Sequence, residues 1–270
     1  MIKLIASDID GTLLQEGSDR LDPEFYTVIP ELKKRGILFA AASGRGYASI
    51  SRLFAPVKDE MIFIADNGSN VVCRGYETFS ACLNKKDVRD WVQAMRARGD
   101  CQILLSSKNI VYVENADEAL LDLLINGYHN NVKVTEDLLA ETEKENIVKG
   151  AIYYRPGIKK IADPIIEEWK DRFHVMVAGD PWLDFVSYDA DKGKALKSIQ
   201  DLMHISPEET MVFGDNLNDL GMFKRAKESY AVANAKPEVL QAAARHTASN
   251  LDGGVLKVLK RVLEEQKDVQ

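Results

Sequence analysis

Both ends of this 270-residue chain alternate apolar strands with helices, and its middle does not. Residues 2–7 form an almost unbroken apolar strand, the kind that parallel sheets cover on both faces. Asp22-Pro23 reads as a helix start, with Asp as cap and Pro at the first helical position. Gly36 ends that helix after Lys33-Lys34-Arg35, cations suited to a helix carboxyl end. Strands follow at residues 37–42 and 62–65, and Val71-Val72 and Thr78-Phe79 flank Arg74-Gly75 as a hairpin. From Lys192 the alternation returns, with helices at 193–203, 217–224, 237–243 and 254–265 around strands at 210–213 and 229–232.

Around Asn84 the pattern changes. Asn84 caps a helix in which Val88, Trp91, Val92 and Met95 recur at i, i+3, i+4, i+7, and Gly99 ends it. A hairpin at 103–105 and 110–113 turns through Ser107-Lys108-Asn109, and a helix at 116–126 follows. Strands near 132–134 and 147–154, a helix at 158–172, and strands near 174–177 and 183–187 complete the region. Hairpins mixed with helices predict an α+β unit with a largely antiparallel sheet. The expected architecture is therefore α/β: a Rossmann-like, doubly wound parallel-sheet core from residues 1–82 and 187–270, with an α+β domain of residues 83–186 inserted. Residues 266–270 are expected to fray.

Composition narrows the partners. With 46% hydrophobic and 29% charged residues the chain reads as soluble and globular. A net charge of -7 gives no support for nucleic-acid binding, and no apolar run approaches the ~18 residues of a membrane span. Cys73, Cys82 and Cys101 are odd in number and lack CxxC spacing. That argues for a reduced, cytoplasmic setting over a disulfide framework or a zinc site. The amino-terminal residues lack a signal-peptide layout, because acid follows the short apolar run at once.

Four strand ends carry chemistry. The first strand runs into Asp8-Ile-Asp10-Gly11-Thr12. Strand geometry sets i and i+2 on one side, and the turn lets the second carboxylate reach over the first. Two anions so close need a cation or a shared proton. The second strand ends in Ser43-Gly44-Arg45-Gly46, where a hydroxyl and exposed amides at a helix start suit an oxyanion. Gly44-x-Gly46-x-x-Ser49, with Asp66 about 20 residues on, also matches part of a dinucleotide fingerprint. Ser49 replaces the third glycine there, and the segment follows the second strand instead of the first. Asp191-Lys192-Gly193 enters a helix, where a held lysine could neutralise a buried anion. Finally, a buried strand delivers Gly214-Asp215, with Asn218 and Asp219 on the next turn. Such oxygen ligands favour a hard cation like Mg2+, and the twelve-residue calcium-loop spacing with its terminal glutamate is missing.

Together, Asp8-Ile-Asp10-Gly11-Thr12-Leu13, Ser43-Gly44-Arg45, Lys192-Gly193 and Gly214-Asp215-x-x-Asn218-Asp219 resemble motifs one to four of the haloacid dehalogenase superfamily. The insertion, Asn67-Gly68, Asn234-Ala235 and Asn250 with Gly254-Val255 are similar to its Cof-like class II, subtype B members. The resemblance implies a Mg2+-dependent phosphatase for small phosphomonoesters, sugar phosphates or related metabolites. In that reading Asp8 attacks phosphorus and becomes an aspartyl-phosphate, and Asp10 transfers protons. The metal ligands are Asp8, the Asp10 carbonyl and Asp215. Ser43, Gly44, Arg45, Lys192 and Asn218 bind the phosphate or substrate, Asn218 fixing Lys192 or the phosphate itself. Thr12 and Asp219 support the site from behind. The inserted domain acts as a cap that closes on the substrate and chooses it. Partners are then a small phosphorylated metabolite, with no nucleic acid and no membrane, for a monomer or small homo-oligomer.

Two other readings share these residues. A phosphomutase of the same fold would return the phosphoryl group to a sugar. A non-catalytic phosphometabolite-binding protein would be expected to lose Asp8 or Asp10, and both are present. His129, His174, Trp91 and Trp182 read as packing or surface residues.

Overall fold

In the computed structural model, which describes residues 1–15, 18 and 20–265, the chain divides into two compact units. One comprises Met1–Phe79 with the chain from Asp191 onward, the other Ser80–Ala190. The expectation for residues 266–270 lies outside the described residues.

The first unit is built on an eight-stranded sheet. Its order is Arg245–Thr247, Glu228–Val232, Thr210–Gly214, Leu4–Asp8, Leu38–Ala42, Met61–Ala65, Asn70–Cys73, Tyr76–Ser80. The first six strands are parallel, and Asn70–Cys73 returns antiparallel against Met61–Ala65. Every residue of Leu4–Asp8, Met61–Ala65 and Thr210–Gly214 is buried, which is why these strands read as runs and not as alternations. Helix Phe25–Lys34 buries Phe25, Val28, Ile29 and Leu32, one stripe at helical spacing. It packs against helix Gly254–Glu265, which buries Val255, Leu256, Val258, Leu259 and Val262. Lys192–Met203 packs instead on Leu220–Phe223. This is the expected doubly wound α/β arrangement. Leu4–Asp8 lies where the strand order reverses, between Leu38–Ala42 and Thr210–Gly214. The crevice at such a switch point is where open α/β sheets bind ligands.

The second unit is a six-stranded sheet in the order His174–Val177, Trp182–Val186, Lys149–Tyr153, Gln102–Ser106, Val111–Val113, Val132–Val134. All pairings are antiparallel except that of Val111–Val113 with Val132–Val134. Asn84 caps helix Lys85–Arg98 by accepting from the amides of Lys86 (2.9 Å) and Asp87 (3.2 Å), and Gly99 ends it. Val88, Trp91, Val92 and Met95 face the core as their spacing predicts.

Several boundaries differ from the local pattern. The first helix begins at Phe25, because Asp22-Pro23-Glu24 closes a tighter turn first. Asp22 Oδ1 accepts from the Glu24 amide at 2.9 Å, and Phe25 N–H donates to the Asp22 carbonyl at 3.1 Å. The helix expected at 217–224 splits into a 3-10 turn, Leu217–Asp219, and a short helix, Leu220–Phe223. That at 116–126 becomes Glu118–Asp122 followed by a π turn, Leu123–Gly127, and that at 158–172 becomes Ile158–Lys160 and Ala162–Trp169. Helix Leu138–Lys144 bunches its apolar residues in Leu138-Leu139-Ala140 with no helical recurrence, and edge strand Arg245–Thr247 has none, so neither could be anticipated.

Candidate active site

The site grows from the carboxyl end of Leu4–Asp8. Asp8 is buried, and the Ser7 hydroxyl donates to its carbonyl at 2.8 Å. The chain then turns through Gly11, Thr12 and Leu13, and the Gly11 amide closes the turn on the Leu14 carbonyl at 2.8 Å. Gly11 has φ +86°, and a Cβ there would lie 2.4 Å from Asp215 Oδ2. Glycine thus meets both a left-handed backbone and the close approach of the neighbouring carboxylate. Thr12, also buried, donates its hydroxyl to Asp215 Oδ1 at 2.8 Å.

Lys192 stands in the first turn of helix Lys192–Met203, which Asp191 caps by accepting from the Lys194 amide at 2.8 Å. A cation at a helix amino end opposes the helix dipole, and a buried one loses its hydration. Two carboxylates offset both costs: Lys192 Nζ donates to Asp8 Oδ1 at 2.6 Å and to Asp219 Oδ1 at 2.8 Å. Burial works to lower the lysine, but Asp219 and Asp8 outweigh it and hold the ammonium above the usual lysine range.

Asp219 is fully buried and fully engaged. Its Oδ1 takes Lys192, and its Oδ2 accepts from the amides of Asp215 and Asn216, each at 3.0 Å. It therefore shapes the loop that presents Asp215 and anchors the lysine. One oxygen from each of Asp8, Asp215 and Asp219 lies within 4.8 Å of the others. Of this trio Asp8 and Asp215 have oxygens to give a cation. Asp8 Oδ2 is buried with no hydrogen-bond partner, an expensive state for a carboxylate oxygen. Burial pushes Asp8 well above the ordinary carboxylate range, against the pull of Lys192, and Asp219 and Asp215 add to the rise. Burial also raises Asp215, with Asp219 adding and Thr12 opposing. A hard divalent cation would satisfy the orphaned oxygen and bring both groups down, and an all-oxygen donor set suits one.

The second strand delivers Ser43 and Arg45 to Asp10. Arg45 Nε donates to Asp10 Oδ2 at 2.9 Å, and a second guanidinium N–H pairs with Asp10 Oδ1. Ser43 Oγ lies 3.4 Å from Asp10 Oδ2 and accepts from the Arg45 amide at 3.0 Å. The Asp10 carboxylate is thus held by Arg45, outside the oxygen cluster of Asp8 and Asp215. This same loop carries the partial dinucleotide pattern, and its side chains turn to a carboxylate. Asn218 donates to Asn67 Oδ1 at 2.9 Å, whereas the ammonium of Lys192 is taken by Asp8 and Asp219.

Motif reasoning did not foresee the clasp around the first turn. Asn234 Nδ2 donates to the Gly11 carbonyl at 2.7 Å, and Asn250 Nδ2 to the Leu14 carbonyl at 3.1 Å. The Asn250 amide in turn donates to Asn234 Oδ1 at 3.0 Å. Both ends of the Gly11–Leu14 turn are therefore tied to residues more than two hundred positions away. Only the family resemblance had drawn attention to these asparagines; no local periodicity marks them.

The model of haloacid dehalogenase-like hydrolases matches residues 5–259. The 5-amino-6-(5-phospho-D-ribitylamino)uracil phosphatase YbjI of Escherichia coli (strain K12) is 28% identical, over 98% of this chain and 97% of that protein. The phosphatase YitU of Bacillus subtilis (strain 168), named for the same compound, is 27% identical over 95% and 96%. A crystal structure of a protein from Eubacterium rectale superposes with a TM-score of 0.89 at 32% identity, covering 97% of this chain and 99% of that one. With the match reaching from the first sheet strand into the last helix, this chain belongs to the haloacid dehalogenase-like hydrolase family.

Proposed function

We propose that the protein is a Mg2+-dependent phosphatase that hydrolyses small phosphomonoesters through an aspartyl-phosphate on Asp8. The observation that carries this reading is the state of Asp8. One oxygen is held by a buried lysine and the other is buried without a partner, beside Asp215. Hydrolysis of a phosphoric monoester is the chemistry of a family whose relatives here are named phosphatases.

Asp8, Asp215 and the Asp10 carbonyl would hold the Mg2+, whose charge offsets the repulsion between an anionic nucleophile and an anionic phosphoryl group. Asp8 then forms a bond to phosphorus as the bond to the leaving oxygen breaks. Lys192 fixes the angle of Asp8, and with two of its three N–H bonds committed it keeps one for a phosphoryl oxygen. The Ser43 hydroxyl and the neighbouring amides, Gly44 among them, add donors to the same group. Asp10, once it has taken a proton from solvent, gives it to the leaving alkoxide and later takes a proton from the water that attacks the phosphorylated Asp8. Arg45 must release Asp10 for that exchange, and the incoming substrate supplies a competing anion for its guanidinium.

Substrate choice in this reading belongs to the inserted unit. The two ribitylaminouracil phosphatases support a phosphorylated sugar, polyol or related metabolite as substrate. A cytoplasmic setting fits three free cysteines, and no helix among the described residues is long and apolar enough to cross a membrane. The test is phosphate release from a panel of phosphorylated metabolites, with Mg2+ and with chelator, for the wild type and Asp8→Asn. The expected result is Mg2+-dependent release of inorganic phosphate that Asp8→Asn abolishes. An Asp8→Asn variant keeping more than about a tenth of wild-type kcat would rule out the covalent role. Transfer to a second sugar without free phosphate would identify a mutase.

A further inference from the structure

The turn after the third sheet strand is strained in an unusual way. Asp66, Asn67 and Gly68 all have positive φ, at 49°, 55° and 96°. Glycine adopts such angles freely and asparagine tolerates them, but three in succession persist only where the surroundings hold them. The surroundings here are the other strand ends. The Asn67 amide donates to the Ser43 carbonyl and the Asp66 amide to the Arg45 carbonyl, both at 3.0 Å. A Cβ on Gly68 would lie 2.4 Å from the Asp191 carbonyl oxygen and 2.8 Å from the Lys192 nitrogen, so this backbone seats directly on the start of the lysine-bearing helix. The side chain of Asn67 then accepts from Asn218 Nδ2 at 2.9 Å. One three-residue turn thus touches the Ser43–Arg45 loop, the Asp191-Lys192 peptide and Asn218.

We propose that Asn67 is a positioning residue for phosphate binding: its left-handed backbone locks the Ser43 loop, and its side-chain amide aims Asn218 at the substrate's phosphoryl group. This inference rests on the phosphatase reading above. An asparagine amide has two N–H donors and one acceptor oxygen. Asn218 spends one donor on Asn67, which fixes the plane of the amide and leaves a donor for a phosphoryl oxygen. Without Asn67 the exposed side chain of Asn218 would rotate freely, and its contact with phosphate would carry an entropic cost.

Backbone and amide can be tested separately because glycine also accepts the left-handed conformation. Asn67→Gly removes the amide and spares the backbone, whereas Asn67→Ala removes the amide and strains the backbone. The measurements are kcat and KM with p-nitrophenyl phosphate, Ki for inorganic phosphate, and thermal melting. Asn67→Gly is expected to raise KM and phosphate Ki roughly three- to tenfold, the worth of one well-placed hydrogen bond, with kcat little changed. Asn67→Ala should show the same loss of affinity together with a lower melting temperature. Asn218→Ala should raise phosphate Ki at least as much as Asn67→Gly, and the double variant Asn67→Gly/Asn218→Ala should be no worse than Asn218→Ala alone. If Asn67→Gly binds phosphate as the wild type does, or if the two losses simply multiply, the proposal falls while the phosphatase reading stands. If the wild type releases no phosphate from any monoester, the reading falls and takes this proposal with it.

Discussion

Thr12 and Asp215, 203 positions apart in the chain, share a 2.8 Å hydrogen bond between hydroxyl and carboxylate. The bond joins the turn that follows Asp8 to the loop that follows the neighbouring strand. It also decides which face of Asp215 remains for other contacts, since Oδ1 is taken and Oδ2 lies against Gly11.

Replacing Thr12 by Val keeps the shape and removes the donor. Asp215 would then lose its orienting bond at a largely buried position, so stability should fall by about 1 kcal/mol. The apparent Mg2+ requirement should rise several-fold, with kcat at saturating Mg2+ within a few-fold of wild type. Titration of phosphate release against Mg2+ reads this directly, and an unchanged Mg2+ midpoint would count against Asp215 as a ligand.

Lys192 is a fully buried cation held between two buried carboxylates. Lys192→Met leaves Asp8 and Asp219 buried together without their cation, and breaking a buried pair in this way costs about 3–5 kcal/mol. Urea denaturation of the metal-free protein should show that loss. Mg2+ should restore part of it, because a divalent cation replaces the missing charge beside Asp8. A loss below about 1 kcal/mol would mean that the two carboxylates escape each other by rearranging.

How much of this was legible beforehand depends on where each signal sits. Asp8 and Asp215 could be read because each ends an apolar strand, and strand ends in an α/β sheet converge by topology. Lys192 could be read only in company with the other three motifs, as a lysine at a helix entry able to neutralise a buried anion. The pairing of Arg45 with Asp10, the bond from Asn218 to Asn67 and the clasp of Asn234 and Asn250 could not. Each joins residues from different loops, and neither periodicity nor local propensity encodes such contacts. Arg245–Thr247 escaped for a similar reason: a three-residue, mostly exposed edge strand has no apolar run to announce it.

The inserted unit offers a pH-dependent test away from the site. Burial, aided by Asp100, pushes the Cys101 thiol up to about 11 from 9.0. At pH 8 roughly 0.1% is then thiolate, against roughly 10% for a thiol at 9, so alkylation should be about a hundredfold slower than for an ordinary cysteine. The fold favours the neutral thiol. The corresponding stability is present below about 9 and is lost as pH rises from there to about 11. Peptide-resolved iodoacetamide labelling across pH 7–11 checks both, and a labelling midpoint near 9 at Cys101 would refute the shift.

The place of the Leu4–Asp8 strand has a consequence for how the enzyme is made. One of its neighbours, Leu38–Ala42, follows it closely in the chain, but the other, Thr210–Gly214, is translated only after the whole inserted unit. A growing polypeptide therefore carries Asp8 on a strand that lacks one of its two partners for most of its synthesis, without Lys192, Asp215 or Asp219 around it. The oxygen cluster of Asp8, Asp215 and Asp219 can assemble only once the last third of the chain has been made.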